Sequence, residues 1–471
     1  MSRLDNLKVI RKLGELESIF DNELINDNLS QTRTFLVSIP NKYEITLDVL
    51  KKALKSLIDI HPLLRATTYR ELDEVTQKSK LFLDKYFVYI NSNEVDVYNN
   101  IEYIDTWKNF EWENLVESEL KTSVDFINGP LWRMKLLKDK SVQANDSSST
   151  RYALVLTTSH SISDGRSGYS LGIEYFNILI DVLEGNKIDY PIEKLCEFSV
   201  DDLIKQFRSK PDFKSHVEDI GLDTQTNRIP SNVGNKVDGV YGRFASLEIG
   251  KETFEKIIKK MKINAPKAKI TSLMGALLAK SYKNACIKHE SNTNSLLNAI
   301  QFSIAKSPRE TLKIDKNAMG CYVTSLYCRM DLENCEKDFW SFVEYHSILL
   351  HKRIMNNEEF VSSMESAEFK NIFVNLINSN FDFLSNSPFS FAISNIGPMK
   401  NTKNERIVKV HSHYVSIPCN EKRFFPYLYF GMTTIDNNFF LAISYSEKVF
   451  STQFINDLKE DFLEQIKTIL E

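Results

Sequence analysis

The residues best suited to chemistry in this 471-residue chain form one short run, His160-Ser161-Ile162-Ser163-Asp164-Gly165. An unperturbed imidazole titrates near pKa 6.5, so a histidine can take up and release a proton at neutral pH. The stretch before the run, Arg151 to Ser159, reads as a buried strand, and Ser167 to Glu184, closed by Gly185, reads as a helix. A strand terminus fixes the backbone of His160, and Gly165 permits a turn that residues with a side chain resist. An aspartate four positions on is better suited to shaping that turn than to orienting the imidazole, so Asp164 is expected to be structural.

Other residues of suitable type are less sharply patterned. Lys256, Lys259, Lys260, Lys262, Lys267 and Lys269 cluster ahead of a helix expected from Ser272 to Ala285. Lysines at a helix entry can hold a phosphate, and a solvated charged helix face is the alternative. His411 and His413 have the spacing that puts two rings on one side of a strand, but no cysteine or acid nearby completes a zinc set. The six cysteines are sparse and contain no C-x-x-C pair, which reads as reduced intracellular thiols. Cys321, Cys328 and Cys335 recur every seven residues across what reads as a strand and then a charged loop, so no common face and no metal site is expected there. Phosphate-binding glycine loops and a G-x-S-x-G nucleophile elbow are absent from the sequence.

The elements that must position these residues are readable in outline. Leu47 to Ile60 carries apolar residues three or four apart, as an amphipathic helix does, and His61-Pro62 stops it. Asn128-Gly129-Pro130 marks a turn before a strand from Leu131 to Leu137, and Ser141 to Thr150 reads as an exposed loop. Gln206 to Tyr241 lacks sustained periodicity and reads as a connection between domains. Beyond it, strands are expected at Ala299–Ile304, Tyr322–Arg329, Val408–Val415, Tyr427–Thr434 and Phe439–Tyr445. Helices and strands mix in both halves, which gives an α/β (α+β mixed) class divided as 1–205, 206–241 and 242–471.

Composition narrows the function classes. Hydrophobic residues make up 42% and charged residues 26%, ordinary for a globular protein, and a net charge of −4 gives no basic excess for nucleic acid. No apolar stretch approaches the length needed to span a bilayer, and the first 20 residues carry charges throughout, unlike a signal peptide. The last helix, Thr452 to Leu470, has an apolar stripe expected to dock on the protein body, because its polar face is acidic rather than basic.

The extended run His160-Ser161-Ile162-Ser163-Asp164-Gly165-Arg166-Ser167 resembles the signature of the CoA-dependent acyltransferase superfamily, which includes chloramphenicol acetyltransferase, plant acyltransferases and peptide-synthetase condensation domains. Within it, the likeness is to the fungal alcohol acetyltransferases. Further segments are similar in the same order. They are Arg11-Lys12-Leu13-Gly14-Glu15-Leu16-Glu17, His61-Pro62-Leu63-Leu64-Arg65, Gly129-Pro130-Leu131-Trp132-Arg133, Ser307-Pro308-Arg309, Ser394-Asn395-Ile396-Gly397 and Phe430-Gly431-Met432-Thr433. Many condensation domains carry a second histidine where this chain has Ser159, and no carrier-protein or adenylation segment accompanies the match. Both weigh against a condensation role on a carrier-bound acyl group.

The resemblance implies two chloramphenicol-acetyltransferase-like halves with an active-site tunnel at their interface and His160 at its middle. It implies acetyl-CoA as co-substrate, no metal, and His160 as general base for direct attack by a small hydrophobic alcohol. Acetylation of a long-chain amine, such as a sphingoid base or an analogue, is the alternative, and a non-catalytic relative that binds CoA or a partner is a third. The same resemblance makes Arg309 the partner of Asp164, Ser394, Asn395 and Thr433 candidates to face the tunnel or an oxyanion, and the lysine cluster a place for CoA phosphates. A monomer is expected, cytoplasmic or held peripherally on endoplasmic reticulum or lipid droplets.

Overall fold

Among the described residues, strands and helices alternate along the chain, and the strands form three sheets. The computed structural model describes residues 7–21, 30–70, 85–90, 96–107, 109–126, 128–141, 148–192, 197–221, 242–289, 298–361, 389–419 and 427–471. They fall into two compact units, neither of which is a continuous stretch. The first comprises 1–207, 307–323 and 399–417, and the second comprises 208–306, 324–398 and 418–471. Two segments placed by sequence in 242–471 therefore pack with the first unit. The cause is hydrogen bonding: 409–416 completes a sheet there, and 309–322 binds a helix N-terminus there. Part of the expected connection, 222–241, lies outside the described residues, as does Cys196.

Elements are numbered along the chain. In the first unit the main sheet contains β2 (Ser30–Pro40), β5 (Ile101–Ile104), β6 (Trp132–Lys138), β7 (Ser149–Ser159) and β12 (Lys409–Ser416), in the order β12-β2-β7-β6-β5. Only the β5–β6 pair is parallel. From Tyr152 to Ser159 every residue of β7 is buried, as expected of a strand covered on both faces. A second, three-stranded sheet joins β1 (Val9–Lys12), β4 (Lys85–Tyr89) and β3 (Ala66–Arg70). The expected loop from Ser141 ends earlier than Thr150, because Ser149 and Thr150 already pair with Pro40 and Ile39.

The unit's helices are α1 (Glu15–Phe20), α2 (Leu47–Ile60), α3 (Trp112–Lys121), α4 (Gly165–Glu184), α5 (Val200–Arg208) and α8 (Arg309–Leu312). Helix α2 spans the range read from its periodicity. Thr46 accepts the Val49 amide at its start, and Leu50, Ala53, Leu54, Leu57 and Ile58 are fully buried. At its end, His61 Nε2 meets Glu174 of α4 at 2.6 Å. Two of the sequence segments also lock together here, since the Trp132 indole N–H donates to the Leu64 carbonyl at 2.8 Å. Gly185 closes α4 in the left-handed conformation at φ +70°.

Among its described residues the second unit holds one sheet, in the order β10-β9-β11-β13-β14-β8. Its strands are β8 (Gly242–Ile249), β9 (Ala299–Lys306), β10 (Thr324–Asp331), β11 (Phe391–Met399), β13 (Leu428–Ile435) and β14 (Asn438–Ser446). Its helices are α6 (Lys251–Asn264), α7 (Ile270–His289), α9 (Leu332–Lys337), α10 (Phe339–Met355) and the terminal helix Thr452–Leu470. Apolar residues on almost every side of α7 are buried, including Leu273, Met274, Ala276, Leu277 and Leu278, which makes it the central helix of this core. Phe454, Ile455, Leu458, Phe462 and Ile466 of the terminal helix enter the same core, so its apolar stripe is covered by protein. Among the described residues no helix is long and apolar enough to cross a membrane. The charged loop expected around Cys335 is instead helix α9, started by Asp331, whose carboxylate accepts the Glu333 amide.

One contact in the first unit fixes α4 on its sheet. A side chain at Gly172 would meet the Phe35 ring at 2.3 Å, and Phe35 is itself enclosed by Tyr169, Phe176 and His413. The ring has no space to yield. Gly172→Val is therefore expected to destabilise the protein by about 1–3 kcal/mol, measured by urea unfolding.

Candidate active site

His160 follows the last residue of β7, the strand flanked by β2 and β6. Ser159, fully buried, stabilises the turn: its hydroxyl lies 2.8 Å from that of Ser161 and accepts the Ser161 amide at 3.2 Å. Four residues on, Asp164 caps α4. One carboxylate oxygen accepts the amides of Arg166 and Ser167 at 2.9 Å each, while the Asp164 amide donates to the Ser167 hydroxyl, forming a reciprocal cap. The other oxygen accepts the Tyr322 amide at 2.9 Å and pairs with Arg309 Nη1 at 2.7 Å.

Arg309 opens α8 and is buried with its partner. It also donates to the Ser307 hydroxyl and the Ala318 carbonyl, each at 3.1 Å, and lies over the Tyr322 ring. The carboxylate of Asp164 is thus engaged with backbone amides and a guanidinium, and it shapes the turn and the helix start. Gly165 differs from its sequence reading. It is the first residue of α4 and does not have a left-handed backbone, because the cap at Asp164 already makes the turn.

Three neighbours of the half-buried His160 imidazole bear on its chemistry. Phe20 stacks on it with ring centroids 4.2 Å apart. Cys321 Sγ lies 3.6 Å from Nδ1, and Gln31 Nε2 contacts Nε2. Burial, and then the charges of Glu17, Asp164 and Asp201, push the Cys321 thiol well above its ordinary value. At neutral pH it is a thiol, without the nucleophilicity of a thiolate. Behind Gln31 lies Arg33, fully buried on β2, whose guanidinium contacts Gln31 Oε1 and the Asp164 carbonyl and donates to Thr158 Oγ1 at 3.0 Å. It lies against Gly168, where a Cβ would stand 1.8 Å from Arg33 Nε. Phe20, Gln31, Arg33 and Gly168 are not singled out by sequence, and Cys321 stands out there only for its seven-residue spacing from Cys328 and Cys335. The available signal was an arginine inside a strand of Thr, Phe, Leu and Val, with Gln31 two positions earlier on the same face.

The opening segment forms a second buried charge pair in this unit. Arg11 binds Glu17 through two hydrogen bonds of 2.7 and 2.6 Å, and Glu17 accepts the Gly14 amide at 2.9 Å. Nearby, Asp201 accepts the Leu16 amide at 3.1 Å, and burial, reinforced by Glu17 and Glu15, pushes its carboxyl up to about 6.

The remaining sequence candidates lie elsewhere. Ser394, Asn395 and Thr433 belong to the second unit, the first two on β11 and the last buried on β13. Both ends of the Asn395 amide are engaged, one with the Thr271 hydroxyl at 3.0 Å and one with the Gly397 amide at 2.9 Å. Lys256, Lys259, Lys260 and Lys262 lie on a helix of their own, α6, with Phe254, Ile257 and Met261 forming its buried side. Lys267 and Lys269 follow in the turn before α7, exposed, with their backbone amides bound to Glu344 and Ser347.

His411 and His413 do not share a side of their strand. A bulge between Val410 and Ser412 shifts the register, so exposed His411 bonds the Ser38 hydroxyl at 2.8 Å while His413 is buried between Phe35 and Tyr169. Burial, and then the charge of Arg33, hold the His413 ring well below its ordinary value, and it is neutral. No group of three or more His, Cys, Asp or Glu suited to a metal ion occurs among the described residues.

Two measurements follow from these buried charges. Arg309→Met leaves the Asp164 carboxylate buried without its cation and is expected to cost about 3–5 kcal/mol of stability. Asp164→Asn combined with Arg309→Met should recover part of that loss in urea unfolding, since the amide oxygen can still cap α4. Asp201 has a carboxyl held at about 6 against an ordinary value of 3.8, so the folded chain binds this proton more tightly than the unfolded chain. Its contribution to stability is present below the ordinary value and is lost as pH rises through about 6. Asp201→Asn is therefore expected to raise the melting temperature at pH about 7 but not at pH about 4.

No family model matches the chain, and no curated protein is similar to it in sequence at a significant level. Solved structures are similar in fold. The trichothecene 15-O-acetyltransferase of Fusarium sporotrichioides aligns over 98% of this chain and 94% of its own, with 14% identity and a TM-score of 0.65. The first condensation domain of the CDA synthetase aligns over 98% and 97%, with 12% identity and a TM-score of 0.62. The starter condensation domain of rhizomide synthetase, solved with C8-CoA and Leu-SNAC, aligns over 99% and 95%, with 9% identity and a TM-score of 0.60. The chain has a mixed α/β fold of two units, a fold it shares with this O-acetyltransferase and these condensation domains.

Proposed function

We propose that this protein is an acetyl-CoA-dependent acetyltransferase that acts on a hydrophobic alcohol, with His160 as general base. The observation that carries the reading is the position of His160. It is a half-buried imidazole at the end of a central strand, on a turn fixed by the Asp164 cap and the Asp164–Arg309 pair. The fold it shares with an O-acetyltransferase and with a condensation domain solved with an acyl-CoA supports acyl transfer. The motif order from Arg11 to Thr433 supports the narrower likeness to fungal alcohol acetyltransferases.

In this reading an uncharged hydroxyl attacks the thioester carbonyl as His160 takes its proton. A carbon–oxygen bond forms and the carbonyl electrons move onto oxygen. The resulting tetrahedral species collapses, the carbon–sulfur bond breaks, and the imidazolium returns the proton to the departing CoA thiolate. Atoms and charge balance without a covalent enzyme intermediate, in keeping with Cys321 being held as a thiol. Asp164 and Arg309 take no proton in this sequence; they hold the turn.

The test is thiol release from acetyl-CoA by wild type and His160→Ala across short alcohols, long-chain alcohols, sterols and sphingoid amines. Turnover that requires an acceptor and falls about 100- to 10,000-fold in the variant is expected. Mass spectrometry of the product separates an ester from an amide, and an amide would transfer the reading to an amine acceptor. Equal rates in wild type and His160→Ala would remove His160 from the chemistry.

A further inference from the structure

We propose that Gln31, held by Arg33, fixes the tautomer of His160, so that the neutral ring carries its hydrogen on Nδ1 and its lone pair on Nε2. The tautomer follows from contacts alone; its use in catalysis rests on the acyltransferase reading above.

The constraint begins at a group with no choice. A guanidinium has only donors, so whatever faces it must accept. Arg33 Nη2 contacts the Gln31 side chain, and the amide must therefore turn Oε1 toward it. That orientation is itself fixed, because the Arg33 guanidinium also contacts the Asp164 carbonyl and donates to Thr158 Oγ1, and it is buried against Gly168. With Oε1 assigned, the opposite end of the amide is the NH2 group, and this is the end that contacts His160 Nε2. An amide NH2 can only donate, so a neutral ring must accept at Nε2 and carry its hydrogen on Nδ1. The Nδ1 side permits this form, since the Cys321 thiol at 3.6 Å accepts as well as donates and so imposes no tautomer of its own. Strand geometry links the two partners: Gln31 and Arg33 are two positions apart on β2, on one face of the sheet.

Gln31 is then a positioning residue with a second consequence. A general base needs its lone pair within hydrogen-bond reach of the proton it removes. In the structure the Gln31 amide holds that place at Nε2, so the incoming hydroxyl takes over the hydrogen bond that Gln31 made. The ring is delivered to the acceptor with its lone pair already aimed.

The experiment uses the full chain with isotopically labelled histidine and reads long-range proton–nitrogen correlations, which report which ring nitrogen bears hydrogen. The chain has eight histidines, and His160→Asn assigns the signal of interest. Wild type, at a pH where the ring is neutral, is expected to show the Nδ1–H form. The nearly isosteric Gln31→Glu replaces the donor with an acceptor and is expected to move hydrogen to Nε2. Its kcat should drop by at least about tenfold, toward the roughly 10,000-fold loss that a wrong histidine tautomer produces in a catalytic triad. Gln31→Leu, which neither donates nor accepts, should show a mixture of both forms. An Nε2–H ring in wild type, or one spectrum shared by wild type and Gln31→Glu, would overturn the assignment. The two readings fail separately. A silent acceptor panel with an Nδ1–H ring removes the transferase and keeps the tautomer. His160-dependent turnover with an Nε2–H ring does the reverse.

Discussion

The buried carboxylate of Asp164 is the constraint on which the site depends. A carboxylate removed from water is costly unless its oxygens are satisfied, and here each oxygen has a distinct set of partners. One accepts two amides at the start of α4, where the helix dipole also favours negative charge. The other accepts the Tyr322 amide and the Arg309 guanidinium. These bonds determine where α4 begins, where the 309–322 segment lies, and how the chain leaves β7. The imidazole four residues earlier inherits its position from them.

Both units bury ion pairs, and in the second the buried Arg353 pairs with Glu358. The core of the second is an apolar assembly of α7, the terminal helix and one face of a six-stranded sheet. The first buries Arg33, Arg309, Asp164, Glu17 and Arg11, each with hydrogen-bonding partners. Hydrophobic side chains of similar volume would often be no less stable than such pairs, so stability alone does not account for them. Directional bonds restrict geometry in a way that apolar contact does not. In this unit they surround the residues that hold one histidine ring, its turn and the helix that follows.

How much of this was legible in the sequence depended on distance along the chain. His160 and Asp164 were legible because strand, turn and helix are contiguous, and each leaves a local pattern. The Asp164–Arg309 pair crosses a long separation and was reached only through a likeness in the order of motifs. The roles of Gln31 and Arg33 come from the pairing of β2 with β7, which sets Gln31 opposite Thr158. The bulge at His411 left no trace in a simple alternation, so the two histidines were read onto one side. The charged helix face offered as the alternative for the lysines corresponds to α6, whose buried side is formed by Phe254, Ile257 and Met261 at helical spacing.

Strand β12 has an implication for how the chain is made. It pairs with β2 through residues as far apart as Thr32 and Ser416, and a hydrogen bond between those two closes a loop of 384 residues. Domains of long chains tend to fold as units during synthesis, the earlier ones first. The first unit cannot follow that order to completion, because its outermost strand leaves the ribosome after most of the second unit. Until then β2 presents an unpaired edge, the kind of surface that recruits other chains. The nascent protein thus carries an open sheet edge through most of its own translation.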